Sequence, residues 1–232
     1  MDKFNSSFSD MERKMILTGD GSSSIYIPQQ EVTYHSRYGA IQESNHVFIR
    51  SGLIPIQDIH AEIFIFEMGF GTGLNALLTL MEAEKEKKKI YYRAVEAFPL
   101  ENSLVEQLNY CDRLEKADLQ SIFLKLHSCE WEKDIQIIPN FILHKIKNNF
   151  IEYIPEKKFQ MIYYDAFAPD AQPELWNDSI FMKLFSMLDP QGILLTYCSK
   201  GTVQRAMQSA GFNIEKLPGP PHKREIIRAR KP

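Results

Sequence analysis

"AEIFIFEMGFGTGLNALLTLMEAEK", residues 61–85, decides the fold. Its first half is a short apolar run of β-branched and aromatic residues, the pattern of a strand buried on both faces. Gly69, Gly71 and Gly73 follow at alternate positions, and an apolar helix-forming run then extends to about Lys89. Strand, glycine turn and helix in that order open a parallel sheet with helices on both faces. The turn lies at the carboxyl end of the strand, where such sheets bind their ligands. Glycine there allows positive φ and a close approach of backbone to ligand.

The spacing narrows the ligand. A phosphate-cradling P-loop needs a Lys after its last glycine, and none follows here. A dinucleotide turn has the form GxGxxG, whereas this one is GxGxG. Glu67 stands two residues before the first glycine. A carboxylate there repels a pyrophosphate and suits an ammonium or sulfonium. The next apolar run, "IYYRAVEAF" (90–98), delivers Glu96. An acid at that place accepts both hydroxyls of an adenosine ribose. A ribose, a positive charge and no pyrophosphate together describe S-adenosylmethionine; a nicotinamide dinucleotide fits less well.

Outward from this unit, "FILHKI" (141–146), "FQMIYYDAF" (159–167) and "GILLTYC" (192–198) continue the sheet. Segments 100–115 and 118–128 have helical apolar spacing, and "TVQRAMQSA" (202–210) runs into the helix stop Gly211. "FNIEKL" and "EIIRAR" close the sheet as an antiparallel pair around "PGPPHK" (218–223). Upstream, "SIYIP", "VTYHS" and "HVFIR" are β-type runs between Gly, Ser and Pro. They predict a tail and small β-rich extension over 1–60, ahead of the main α/β domain over 61–232.

Composition excludes other classes. No apolar run is long enough for a membrane span, and "MDKFNSSFSDMERK" has no apolar core of a secretory signal. Cys111, Cys129 and Cys198 form no CxxC pair, so neither a metal site nor a disulfide framework is expected. A reduced, cytoplasmic protein follows, with no membrane partner. The net charge of −3 argues against a general nucleic-acid coat protein. Charge is uneven, however: residues 198–232 hold eight Lys or Arg against Glu215 and Glu225. A basic end on an acidic protein is either a phosphate-facing surface or a solvated face. The run "EAEKEKKK" (82–89) is the exposed end of the first helix.

The fourth strand ends in "DAFAPDAQPELW" (165–176). Asp165 falls beside the expected cofactor; Pro169 and Pro173 stiffen the loop, and Phe167 and Trp176 offer aromatic walls. The alternative is an Asp that caps the next helix, with both aromatics in the core.

Together, "FEMGFGTGLN", "VEAFPL", "DAFAPDAQPELW" and "GFNIEKLPGPPHKREI" resemble the methyltransferases of bacterial tRNA wobble-uridine modification, the family of the MnmC methyltransferase domain and stand-alone MnmD. The resemblance runs from about residue 25 to the C-terminus. It implies a Rossmann-like class I fold that uses S-adenosylmethionine to methylate the primary amine of 5-aminomethyl-(2-thio)uridine, giving 5-methylaminomethyl-(2-thio)uridine. By matching positions it implies Glu67, Gly69, Phe70, Gly71, Gly73 and Asn75 in the cofactor turn. Glu96 and Phe98 would flank ribose and adenine, and Asp165 would be the active-site carboxylate. Lys223 and Arg224 match a basic pair in the final hairpin, and "QESNHVFI" places Ser44 near the site. Family members often carry an acid after the third strand to cap the adenine amino group; here "HKIKNNFIEYI" offers Asn148 or Asn149. Bifunctional relatives continue into a flavin-dependent oxidase, whereas this sequence stops at Pro232, so the aminomethyl form is the expected substrate.

Methyl transfer needs a neutral amine. An alkyl amine has a pKa of about 10 and an Asp one of about 4, so Asp165 is a poor base by its ordinary value. The expectation is that it orients the amine, stabilises the charge that grows on nitrogen and passes the proton outward. The target base must leave its stack to reach it. Lys200, Arg205, Lys223 and Arg224 are then expected to hold phosphates of a tRNA anticodon arm, on a monomer. Rival classes are a methyl- or aminopropyl-transferase on a small amine, a nicotinamide oxidoreductase, and a non-catalytic RNA-binding module.

Overall fold

A computed structural model describes residues 11–232. The sequence between 61 and 232 builds one eight-stranded sheet. Strands β1 (Lys14–Leu17), β2 (Ser23–Ile27) and β3 (Val32–Thr33) form a separate three-stranded antiparallel sheet. The large sheet contains β4 (Glu62–Met68), β5 (Lys89–Glu96), β6 (Asp134–Ile138), β7 (Phe141–Lys147), β8 (Phe159–Tyr164), β9 (Leu188–Thr196), β10 (Asn213–Pro218) and β11 (Glu225–Arg230). Its order is β10-β11-β9-β8-β4-β5-β7-β6. β7, β5, β4, β8 and β9 are mutually parallel. β6 and the β10–β11 hairpin add antiparallel edges. The chain leaves β4 toward β5 and β7, then returns across it to β8. The order therefore reverses at β4–β8, and a crevice opens at their carboxyl ends.

Helices are α1 (Ala40–Ser44), α2 (Ile54–Gln57), α3 (Leu74–Lys85), α4 (Asn102–Val105), α5 (Tyr110–Arg113), α6 (Gln120–Ser128), α7 (Asp178–Met187) and α8 (Gly201–Ser209). Strand alternation sends Ile63, Ile65 and Glu67 of β4 to one face of the sheet and Phe66 and Met68 to the other. The first face packs on α3, α6 and the N-terminal helical segment; the second packs on α7 and α8.

The expected parallel strands and closing hairpin are present, and four elements differ. "HVFIR" is helical: Asn45–Leu53 winds as a π-helix continuous with α1 and α2. Val47, Phe48, Ile49 and Leu53 bury against the sheet, so tertiary packing overrides their β preference. Gly52 makes the approach close, because a methyl there would run into Met161 and Leu195. The predicted helix 100–115 is broken between α4 and α5 at Asn109. Its side chain accepts from Ser23 N (2.7 Å) and donates to Gly21 O (3.0 Å), tying the N-terminal sheet to the main body. β6 and α7 are additional. Asn177 caps α7 by accepting from Ile180 N (3.1 Å), which leaves Asp165 free of a capping role.

Candidate active site

The glycine turn folds as its spacing requires: Gly69, Gly71 and Gly73 all have positive φ, at 88°, 51° and 71°. A side chain at Gly73 would also meet His127 Nε2 at 2.7 Å. His127 donates from Nε2 to Thr72 O (3.0 Å), and the Tyr110 hydroxyl bonds Thr72 Oγ1 (3.0 Å). Burial holds the His127 pKa down to about 4, so the ring stays neutral and works as a clamp on the turn.

Above the turn lies a cavity of about 510 Å³, within the range of small-molecule sites. Of the residues singled out in the sequence, Gly69, Phe70, Gly71, Asn75, Glu96, Phe98, Asn148, Asn149, Asp165 and Phe167 line it. Glu96 accepts from Gly71 N on Oε2 (2.9 Å) and Phe98 N on Oε1 (2.7 Å). Two backbone donors fix the carboxylate and leave lone pairs for a pair of hydroxyls. Asn149 Oδ1 accepts from Ile151 N (3.0 Å), and this turn carries Ile151 and Glu152 to the cavity wall. An acid therefore stands on the side where the sequence offered only the two asparagines.

Asp165 lies just beyond the end of β8, on the face that carries Glu67. Asn75, in the first turn of α3, bridges them: Nδ2 donates to Glu67 Oε1 and to Asp165 Oδ2, each at 2.9 Å. Burial pushes the Asp165 carboxyl up to about 7; the Asn75 bond opposes this, nearby Glu43 adds to it and Lys223 opposes it. The ordinary aspartate value therefore does not describe Asp165 in place. Its surroundings, which the sequence does not display, bring it several units closer to an amine.

Other candidate residues divide. Glu67 is 1% exposed and does not line the cavity; strand alternation turns it under the first turn of α3. Trp176 is core, stacked edge-on to Tyr164 at 4.9 Å and donating Nε1 to Phe167 O (2.8 Å). Pro169 is half-buried outside the cavity. Ser44 is buried, and its hydroxyl has no hydrogen-bond partner among the described residues. Lys223 points inward rather than to solvent. Its Nζ pairs with the buried Glu43 (2.6 Å) and sits 4.4 Å above the Tyr197 ring, whose hydroxyl bonds Ala166 O. Arg224 and Arg205 are exposed, and Lys200 pairs with Asp170 at 2.5 Å.

The sequence did not single out Tyr34. It lines the cavity, meets Phe167 edge-on at 5.1 Å and lies against Gly71. Its only prior signal was an aromatic residue inside "VTYHS". Among the described residues no helix is long and apolar enough to cross a membrane, and no group of three His, Cys, Asp or Glu is placed to hold a metal.

The sheet order, the glycine turn at its switch point and the fixed acid that ends β5 define a class I methyltransferase fold with a seat for S-adenosylmethionine. The chain belongs to the S-adenosyl-L-methionine-dependent methyltransferase family whose model matches residues 100–232. Relatives include the tRNA 5-methylaminomethyl-2-thiouridine biosynthesis bifunctional protein MnmC of Ectopseudomonas mendocina, 29% identical over 206 residues, covering 84% of this chain and 31% of that protein. The MnmC of Burkholderia thailandensis is 28% identical over 220 residues, covering 84% and 31%. The resemblance visible in the sequence is borne out, and the chain spans about a third of the length of these relatives. In fold it is similar to MNMC2 from Aquifex aeolicus (TM-score 0.75, 24% identity, 95% of this chain and 70% of that one). Spermidine synthase from Thermotoga maritima shares the fold more distantly (TM-score 0.51, 13% identity, 96% and 75%).

Proposed function

We propose that the protein methylates the primary amine of 5-aminomethyl-(2-thio)uridine at the wobble position of tRNA. The observation that carries this is Asp165, a carboxyl with its pKa near 7, facing the same cavity as the glycine turn and Glu96. The 5-methylaminomethyl-2-thiouridine named for the MnmC relatives supplies the substrate class.

S-adenosylmethionine fits the residues present. Glu96 would take the ribose hydroxyls, Gly69–Gly71 the close backbone approach, and Phe98, Asn148, Asn149 and Glu152 the adenine side. When bound, it supplies an electrophilic methyl group on a positively charged sulfur. The chain's own residues do the rest. Asp165 Oδ1, the oxygen left free by Asn75, accepts a hydrogen bond from the incoming amine. Ionised above about pH 7, it draws the proton that the amine must lose and offsets charge that grows on nitrogen. Lys223 and Glu43 set the charge around it. Tyr34 and Phe167 narrow the entrance and exclude water.

The extension over 1–60 thus serves the 61–232 domain by supplying Tyr34 and Glu43. Lys200, Arg205 and Arg224 are proposed to meet tRNA phosphates; Lys223 is proposed to act on Asp165 instead. Binding through such contacts weakens steeply with salt. The reaction requires one copy of the chain, in the cytoplasm. The test is incubation with labelled S-adenosylmethionine and tRNA lacking the final methyl group, followed by nucleoside mass spectrometry. Label in 5-methylaminomethyl-(2-thio)uridine is expected. An unlabelled tRNA together with a labelled small amine would refute the proposal.

A further inference from the structure

Glu67 is the residue the active site leaves unexplained. An acid before a glycine turn would ordinarily be assigned to the cationic end of the ligand, yet its side chain is 1% exposed and absent from the cavity wall. β4 pairs Glu67 with Tyr163 of β8, so Glu67 and Asp165 share a face two residues apart along neighbouring strands. Asn75 Nδ2 donates to both carboxyls. Glu67 Oε2 and the Tyr92 hydroxyl are both buried and lie close to each other, and neither has another hydrogen-bond partner among the described residues. Asn75 Oδ1 is likewise buried and has no partner among the described residues. A charged carboxylate buried here with no cation beside it is costly.

We propose that Glu67 is a positioning residue: it anchors the Asn75 carboxamide, and through it fixes the orientation of Asp165, without seating the ligand's positive charge. The proposal rests on Asp165 as the group that handles the amine. Asn75 can hold Asp165 in one rotamer only if its own amide plane is fixed, and Glu67 Oε1 is the contact that fixes it. The groups that face Glu67 agree with an uncharged carboxyl. They are Asp165 on the β8 side, Glu96 and Tyr92 on β5, Tyr163 on β8, and the neutral amide of Asn75 on α3. None is a cation. Burial raises its pKa well above the ordinary carboxylate value, against the opposing hydrogen bonds from Asn75 and Tyr92.

Two roles for Glu67 make opposite forecasts. If its charge seats the sulfonium, Glu67→Gln and Glu67→Leu should both weaken S-adenosylmethionine binding, by on the order of tenfold or more. If it positions Asp165 through Asn75, calorimetry should find both variants within about threefold of the natural protein. Turnover at saturating S-adenosylmethionine and tRNA should then fall by on the order of tenfold in Glu67→Leu and be largely restored in Glu67→Gln, whose amide oxygen still accepts from Asn75. In an Asn75→Ala background, Glu67→Leu should add little, because the link it acts through is already gone. At a pH well above 7, where Asp165 is ionised, the infrared band of a protonated carboxyl should be present in the natural protein and lost in Glu67→Gln. Weakened binding in Glu67→Gln, full turnover in Glu67→Leu, or additive losses in the double variant would each overturn the proposal. If the natural protein transfers no methyl group to tRNA, the proposed substrate fails, while the calorimetric and infrared comparisons still decide the role of Glu67.

Discussion

Replacing Asp165 by Asn should make the protein more stable while removing its activity. The sign follows from the carboxyl's two environments. Unfolded, Asp165 titrates near its ordinary 3.8; folded, near 7. Between those values the folded protein holds a proton that the unfolded chain has lost, so its stability falls as pH rises through that window and levels off above it. At about 1.4 kcal/mol per pKa unit the full cost is at most about 4 kcal/mol, and about 2 kcal/mol is expected once half-burial and relaxation are allowed for. The amide in Asp165→Asn keeps an oxygen for Asn75 and carries no charge, so the variant escapes this cost. Urea and thermal denaturation of both proteins from pH 4 to 9 check it. The curves should coincide near pH 4, separate progressively to about pH 7 and then run parallel, with the variant melting roughly 4–8 °C higher at pH 8. Turnover should fall by on the order of a hundredfold or more, as for a lost acid–base group. Curves that stay parallel from pH 4 to 9 would refute the assignment of a raised pKa to Asp165.

Lys223→Met should move the low-pH limb of the rate profile to higher pH, because the ammonium favours the ionised form of Asp165; an unmoved limb would separate Lys223 from Asp165. Glu96→Ala should weaken S-adenosylmethionine binding by on the order of 1–3 kcal/mol in calorimetry and affect turnover at saturation much less. Tyr34→Ala should lower turnover with tRNA while Tyr34→Phe retains most of it, since the edge-on contact with Phe167 uses the ring; equal losses in the two variants would assign the role to the hydroxyl.

The parallel core was legible because buried strands and glycine turns write strong local patterns. "AEIFIFE" and "IYYRAV" have no other use for so many apolar residues. "HVFIR" misleads because its β-branched and aromatic residues serve equally to cover a sheet from outside, and only the sheet decides which. Within the site, Glu96 and Asp165 were legible as acids that end strands. The direction of Glu67 was not: one residue of register separates a side chain that faces ligand from one that faces the helix. Lys223 was legible as a cation but not as an inward one, because its partner Glu43 lies 180 residues earlier. Tyr34 reaches the cavity only through the fold of the N-terminal segment, which no local spacing encodes.

That same Glu43–Lys223 pair sets an order of events during synthesis. The carboxyl at Asp165 has its final surroundings only after the chain has been made through the last hairpin and that hairpin has docked on a helix from the first quarter of the sequence. A growing chain can assemble β4, β5, β7 and β8 and close much of the cofactor seat while Asp165 still lacks its cationic neighbour. Closing so long a loop is a late, topologically demanding step. Ligand binding can therefore precede competence, and the appearance of methyl transfer reports that the two distant segments have met.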